Sequence, residues 1–236
     1  MEIKCLASGS TGNCYIVHQE GVKYILDAGV HIRKIISNVN LNEIDFAFIS
    51  HEHKDHSESL VNLQTKGVGT IYGKYVEEFK KMALTGKNGA NIEIYLFPII
   101  HGQRKDAVKN AGIIVKTKNE ALLYVTDFTL CRYTLKEFKL THLMVECNYD
   151  DAKMKIATMN YKRKSQIERH MSYNGLETFI DKAIDLTSVE EIYLIHLSTE
   201  AELIDKNIIA LKAKLKFKKR IGICEQFGGI NFYGWK

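Results

Sequence analysis

The sequence is sparing with the residues that break a chain into parts. Its 236 residues include one proline, Pro98, and no Ser/Gly-rich or Pro-rich stretch. Nothing in the composition marks a linker, so one domain over residues 1–236 is expected. No repeat at a fixed period and no low-complexity segment is visible, which excludes solenoids and arrays. No run approaches the ~18 consecutive apolar residues of a membrane span. The opening Met-Glu-Ile-Lys-Cys-Leu has neither the basic nor the long apolar region of a signal peptide, and a cytoplasmic location with no membrane partner is the expectation. The five cysteines (Cys5, Cys14, Cys131, Cys147, Cys224) are scattered, odd in number and without a CxxC pair, so they read as reduced thiols in or near a core. Acidic residues are slightly outnumbered. The net charge of +5 is compatible with a polyanionic substrate and far from proof of one.

What is present reads as two successive series of strands and helices. Short β-branched or aromatic runs bounded by turns suggest strands at Glu2–Ala7, Cys14–His18, Val22–Leu26 and Asp45–Ile49. Helical patterns fall at His31–Val39, Glu58–Lys66 and Tyr75–Leu84. Further strands are expected at Ile92–Ile100, Gly112–Lys116, Ala121–Thr126 and His142–Glu146, with Lys118-Asn119 as a hairpin turn. The last third alternates between helices at Leu176–Leu186 and Glu200–Leu215 and strands at Ile192–Ile195 and Ile221–Cys224. The pattern suggests an α/β fold of two face-to-face sheets with helices on both outsides.

The most informative stretch is Ser50-His51-Glu52-His53-Lys54-Asp55-His56, directly after an apolar strand. Three imidazoles and a carboxylate within six residues, in a chain of nine histidines, are hard to reconcile with an ordinary polar loop. Such a loop can aim His51 and His53 at one ion, and Asp55 and His56 at a second. Imidazole nitrogen and carboxylate oxygen suit Zn²⁺, Mn²⁺ or Fe²⁺.

This H-x-H-x-D-H pattern, with Leu26-Asp27-Ala28-Gly29 upstream, resembles the signature of the metallo-β-lactamase superfamily. The resemblance implies a four-layer αββα sandwich and two divalent metal ions, Zn²⁺ or Mn²⁺. It also implies a later His, a bridging Asp and a final His, for which His101, Asp127 and His196 stand in order at expected strand ends. The implied assignment puts His51, His53 and His101 on one metal, Asp55, His56 and His196 on the other, and Asp127 between them. Asp27 would orient the His loop from behind the ligands.

Ser8-Gly9-Ser10-Thr11-Gly12-Asn13, Thr126-Asp127, Glu146-Cys147-Asn148 and His170-Met171-Ser172 narrow the resemblance to the YycJ/WalJ-type, RNase Z-like branch. It implies a cytoplasmic DNA exonuclease of 5′-to-3′ polarity, with a metal-bridging hydroxide as nucleophile and Asp55, Asp127, Glu146 and His170 as catalytic groups. Glu146 and His170 would form the pair that protonates the leaving oxygen. This chain departs from that branch in having His101-Gly102-Gln103, Thr126-Asp127-Phe128-Thr129 and Tyr149, changes that bear on substrate rather than on metal ligation. Lys153 to Arg169 carries six cations against one acid and flanks His170, so Lys162, Arg163, Lys164 and Arg169 are candidate contacts to a phosphate backbone. The run Lys206–Arg220, with seven cations and no acid, reads equally well as a solvated face. A cyclic- or small-nucleotide phosphodiesterase and an RNA nuclease of the same fold remain alternatives. A thioester or lactone hydrolase is another, and would have no use for Glu146 and His170. A homodimer is left open.

Overall fold

The computed structural model describes residues 1–102, 108–149, 169–198, 211–212 and 215–233. Their strands form two sheets. In the first, β1 (Glu2–Ala7), β2 (Cys14–Gln19) and β3 (Val22–Leu26) make an antiparallel meander, and β4 (Phe46–Ile49) and β5 (Thr70–Tyr72) extend it in parallel. The second sheet has eight strands. Here β6 (Lys80–Thr85), β7 (Asn91–His101), β8 (Val108–Lys116) and β9 (Ala121–Val125) are antiparallel neighbours. The parallel centre is β9, β10 (His142–Glu146), β11 (Glu191–Ile195) and β12 (Arg220–Cys224), closed by antiparallel β13 (Ile230–Tyr233).

The sheets pack face to face. Tyr15, Tyr24, Leu26 and Phe48 of the first share a buried cluster with Ile94, Ile113, Tyr124 and Met144 of the second. On the outside of the first sheet, Ile25, Ala47 and Ile49 pack with Ile35 of α1 (Ile32–Ile36) and Leu63 of α3 (Leu60–Thr65). On the outside of the second, Leu123, Val145 and Leu194 pack with α4 (Tyr173–Ala183). Strands covered on both faces have to be apolar throughout, which is why β4 reads Phe-Ala-Phe-Ile and β10 is buried from end to end. The α4 residues Tyr173, Leu176, Phe179, Ile180 and Ala183 recur at three- and four-residue steps, the single stripe a helix lays on a sheet. The order helix, sheet, sheet, helix is the αββα sandwich expected. No helix among the described residues is long and apolar enough to cross a membrane.

Several elements differ from expectation. Residues 80–85 form strand β6, whereas the sequence suggested a helix over Tyr75–Leu84. Met82 and Leu84 turn towards the inter-sheet core while Lys81, Ala83 and Thr85 face out, a two-residue period that pairing with β7 selects. The short edge strands β5 and β13 were not foreseen. Helix α4 starts three residues early because its N-cap is Ser172, whose Oγ accepts from Gly175 N at 3.1 Å. The metal-loop motif is not all loop, since α2 (Lys54–Ser57) carries Asp55 and His56. Lys162, Arg163, Lys164 and most of the expected helix Glu200–Leu215 lie outside the described residues.

Candidate metal centre

The site lies where β3, β4, β7, β9, β10 and β11 end, on one edge of the sandwich. Three of these ends turn through the left-handed region at non-glycine residues: Asp27 (φ 54°), Asp127 (φ 50°) and His196 (φ 54°). That conformation is uncommon outside glycine, though Asp, Asn and His tolerate it best. At these three positions the chain reverses sharply just past its strand, leaving the polar side chain at the shared edge.

The side chains expected from the sequence converge there in three overlapping groups. His51, His53, His101 and Asp127 form the first, Asp55, His56 and His196 the second, and Asp127, Glu146, His170 and His196 a third that joins them. Within the first, His51 Nε2 is 2.9 Å from His53 Nδ1 and 3.5 Å from Asp127 Oδ2, while His101 Nε2 is 3.7 Å from Asp127 Oδ2. Within the second, His56 Nε2 is 3.4 Å from Asp55 Oδ2, and His196 Nε2 is 3.8 Å from the same oxygen. Asp127 reaches both of these groups, with Oδ2 at 3.5 Å from His56 Nε2 and Oδ1 at 3.3 Å from His196 Nε2.

These spacings test whether divalent ions fit. Zinc bonds of ~2.0–2.1 Å in tetrahedral geometry put neighbouring ligand atoms ~3.3 Å apart. The observed separations scatter around that value. The buried His196 Nε2, which faces Asp55 and Asp127, has no hydrogen-bond partner, an expensive state for a polar atom unless something else uses it. The donor set, imidazole and carboxylate, is that of zinc and manganese. These residues could hold divalent metal.

The electrostatics agree. Burial works against the charge on Asp127, yet His196, His56 and His170 hold its carboxyl well below the usual range. Burial opposes the charge on Asp55 as well, but the neighbouring His196 and His56 imidazoles depress its carboxyl. Burial also opposes charging of His196, but the carboxylates of Asp127, Asp55 and Glu146 raise it to about 10. His51 is pushed down by burial and by His56. A nest of carboxylates that retains protons on buried imidazoles would retain cations in their place.

Behind the ligands lies a supporting layer. Asp27, fully buried, accepts from Ser50 N (2.7 Å), Ser50 Oγ (2.9 Å) and the Tyr124 hydroxyl (2.5 Å), and sits 2.6 Å from His56 Nδ1. Since a carboxylate only accepts, the imidazole proton sits on Nδ1 and Nε2 keeps its lone pair for the site. Asn13 Nδ2 lies 3.1 Å from that Nε2 and also donates to Asp55 O (3.2 Å), so the Gly-rich turn of residues 8–13 braces the His loop. Ser8 Oγ accepts from His196 N at 2.9 Å. Tyr124 escaped the sequence reading, and Ser50 and Asn148, whose Nδ2 donates to His196 O at 2.8 Å, stood in its motifs without a role; nothing separates the three from ordinary strand-end residues until the fold joins them.

Glu146 and His170 come together beside the first two groups. His170 Nδ1 is 2.7 Å from Glu146 Oε1 and 3.8 Å from Asp127 Oδ1. Glu146 Oε1 is also 3.1 Å from His196 Nδ1. Burial disfavours a charged His170, but Glu146 and Asp127 outweigh it and raise the imidazole's pKa. Arg169 adjoins His170 and is partly exposed.

No family model matches the sequence. The chain is 24% identical over 254 residues to the exodeoxyribonuclease YycJ of Bacillus anthracis, covering 96% of this chain and 93% of that one. Among solved structures it is similar to the metallo-β-lactamase fold protein YhfI from Bacillus subtilis (TM-score 0.63, 16% identity, 98% and 99% covered). It is also similar to the short form of human tRNase Z (TM-score 0.60, 14% identity, 98% of each chain).

Proposed function

We propose that the chain is a metal-dependent hydrolase of the metallo-β-lactamase superfamily, in its RNase Z-like branch, and that it cleaves phosphodiester bonds in nucleic acid, DNA before RNA, with two metal ions. The observation that carries this reading is the Glu146–His170 pair at 2.7 Å, set against Asp127. A carbonyl hydrolase has less need of it. Phosphodiester cleavage expels a poorly leaving alkoxide, and a positioned imidazolium at that oxygen lowers the barrier.

His51, His53 and His101 would hold one ion, Asp55, His56 and His196 the other, and Asp127 would join them. Bound there, divalent cations neutralise charge on the phosphoryl oxygens and lower the pKa of a bound water. The protein's own part falls to the pair. Glu146 occupies Nδ1 of His170, keeps the ring charged and turns Nε2 outwards to donate a proton to the departing oxygen. The partial exposure of His170, against the burial of Glu146, leaves the acid reachable by substrate. The preference for DNA and for attack from an end rests on the name of the YycJ relative, and a cytoplasmic location belongs with that substrate.

The test is protein reloaded with Mn²⁺ or Zn²⁺ and offered linear DNA labelled at either end, with Asp127→Ala alongside. Metal-dependent loss of label by the wild type alone is the expected result, and the end lost first gives the polarity. DNA left intact with both metals, while RNA or a cyclic nucleotide is cut, would overturn the choice of substrate.

A further inference from the structure

Beside the acid pair runs an open groove of about 540 Å³, between residues 129–134 and α4. That volume lies within the ~300–1,000 Å³ of small-ligand sites. Leu130, Tyr133, Met171 and Phe179 give it an apolar face, and Arg132 and Lys182 add two cations. None of its thirteen described lining residues is acidic. Two other large cavities differ: one includes Asp181 and Asp185, the other Glu2 and Glu191.

The groove is tied to the acid pair by one side chain. Glu146 Oε1 holds His170, while Glu146 Oε2 accepts from Phe128 N (3.0 Å) and Met171 N (3.2 Å). Phe128 leads into one wall and Met171 is part of the other, so both start within two residues of Asp127 or His170. From there α4, eleven residues or ~16 Å long, carries its side of the groove away from the site.

We propose that this groove seats the nucleotides attached to the leaving oxygen, their bases on the apolar face and their phosphates against Arg132 and Lys182. The inference rests on the phosphodiesterase reading above, because the group His170 protonates has to depart on the side of His170. A lining that combines aliphatic and aromatic side chains with two cations and no acid is complementary to a single strand, which offers flat apolar bases and regularly spaced anions.

The experiment measures anisotropy of a fluorescein-labelled, phosphorothioate single-stranded oligonucleotide on metal-loaded protein over a range of NaCl. Arg132→Gln/Lys182→Gln is compared with Lys87→Gln/Lys118→Gln. The control cations lie in turns before β7 and β9, at the strand ends remote from the site, and lose the same charge. Thr178→Trp, an exposed α4 position on the groove, fills it without touching its charge. Expected are a roughly tenfold weaker Kd for the double variant, a fall of about 1.4 in its salt slope for two phosphate contacts, and weaker binding by Thr178→Trp at unchanged slope. Binding by both within twofold of the control, from a wild type that cuts the unmodified oligonucleotide, would overturn the groove and leave the phosphodiesterase standing. A wild type that neither binds nor cuts oligonucleotides, yet hydrolyses bis-p-nitrophenyl phosphate, would remove nucleic acid as substrate and the groove with it.

Discussion

Replacing Asp27 with asparagine tests how the site fixes the tautomer of His56. The side chain keeps its shape, and Oδ1 can still accept from Ser50 N. The other position becomes an NH₂ group facing Ser50 Oγ, the Tyr124 hydroxyl and His56 Nδ1. Hydroxyls can rotate to accept, but Nδ1 can accept only by shedding its proton to Nε2, the nitrogen that faces Asp55 and Asp127. A protonated Nε2 has no lone pair for a metal. Loss of such a partner usually costs 10–100-fold in affinity, or about 1.4–2.8 kcal/mol. The cost should fall on the Asp55/His56/His196 group and spare His51/His53/His101. Titration with zinc against a competing chelator, with metal content by mass spectrometry, should give one tight and one weakened ion where two tight ones are expected of the wild type. Loss of charge-assisted bonds inside the core should also cost about 2–3 kcal/mol, a fall in Tm of roughly 4–12 °C. Two ions held at wild-type affinity would refute the tautomer argument.

Gly29→Ala attacks the same loop through the backbone: a Cβ at residue 29 would lie 1.6 Å from Asp55 O and 2.6 Å from His56 N. The bonds Asn13 N to Asp55 O and Ala28 N to His56 O would have to yield, so a loss of about 3–5 kcal/mol in denaturant unfolding is expected, with metal released at lower chelator concentration. His170→Ala should lower kcat by about 10²–10⁴ while metal content stays at the wild-type level; DNA cleaved at the wild-type rate would remove His170 as the acid. Glu20 sits far from the site, where hydrogen bonds from Asn119 N (2.8 Å) and the Thr117 hydroxyl (2.6 Å) lower its carboxyl to about 2. A depressed carboxyl stabilises the fold above its unfolded value near 4.5 and loses that contribution as pH falls towards 2. Glu20→Gln should therefore flatten the acid limb of the stability curve in that window, by less than about 1 kcal/mol because the group is exposed, and an unchanged limb would count against it.

The sequence by itself determined a good deal. The cluster of residues 51–56 is local, so the motif alone announced a metal loop, and strands such as β4 and β9 were legible because complete burial demands unbroken apolar runs. The family resemblance picked out His101, Asp127 and His196, in order at the ends of expected strands. Tertiary structure decided the rest, because the remaining determinants are pairings between distant residues. Whether residues 80–85 became helix or strand depended on β7 being alongside, since Met82 and Leu84 alone fit either period. Asn13 meets Asp55 and His56, Tyr124 meets Asp27, and Glu146 meets His170 and both walls of the groove, each across a long stretch of chain. The left-handed turns at Asp27, Asp127 and His196 leave no mark in composition either. They exist because two packed sheets hold the strand ends at one edge, and that packing is a property of the assembled core rather than of any segment.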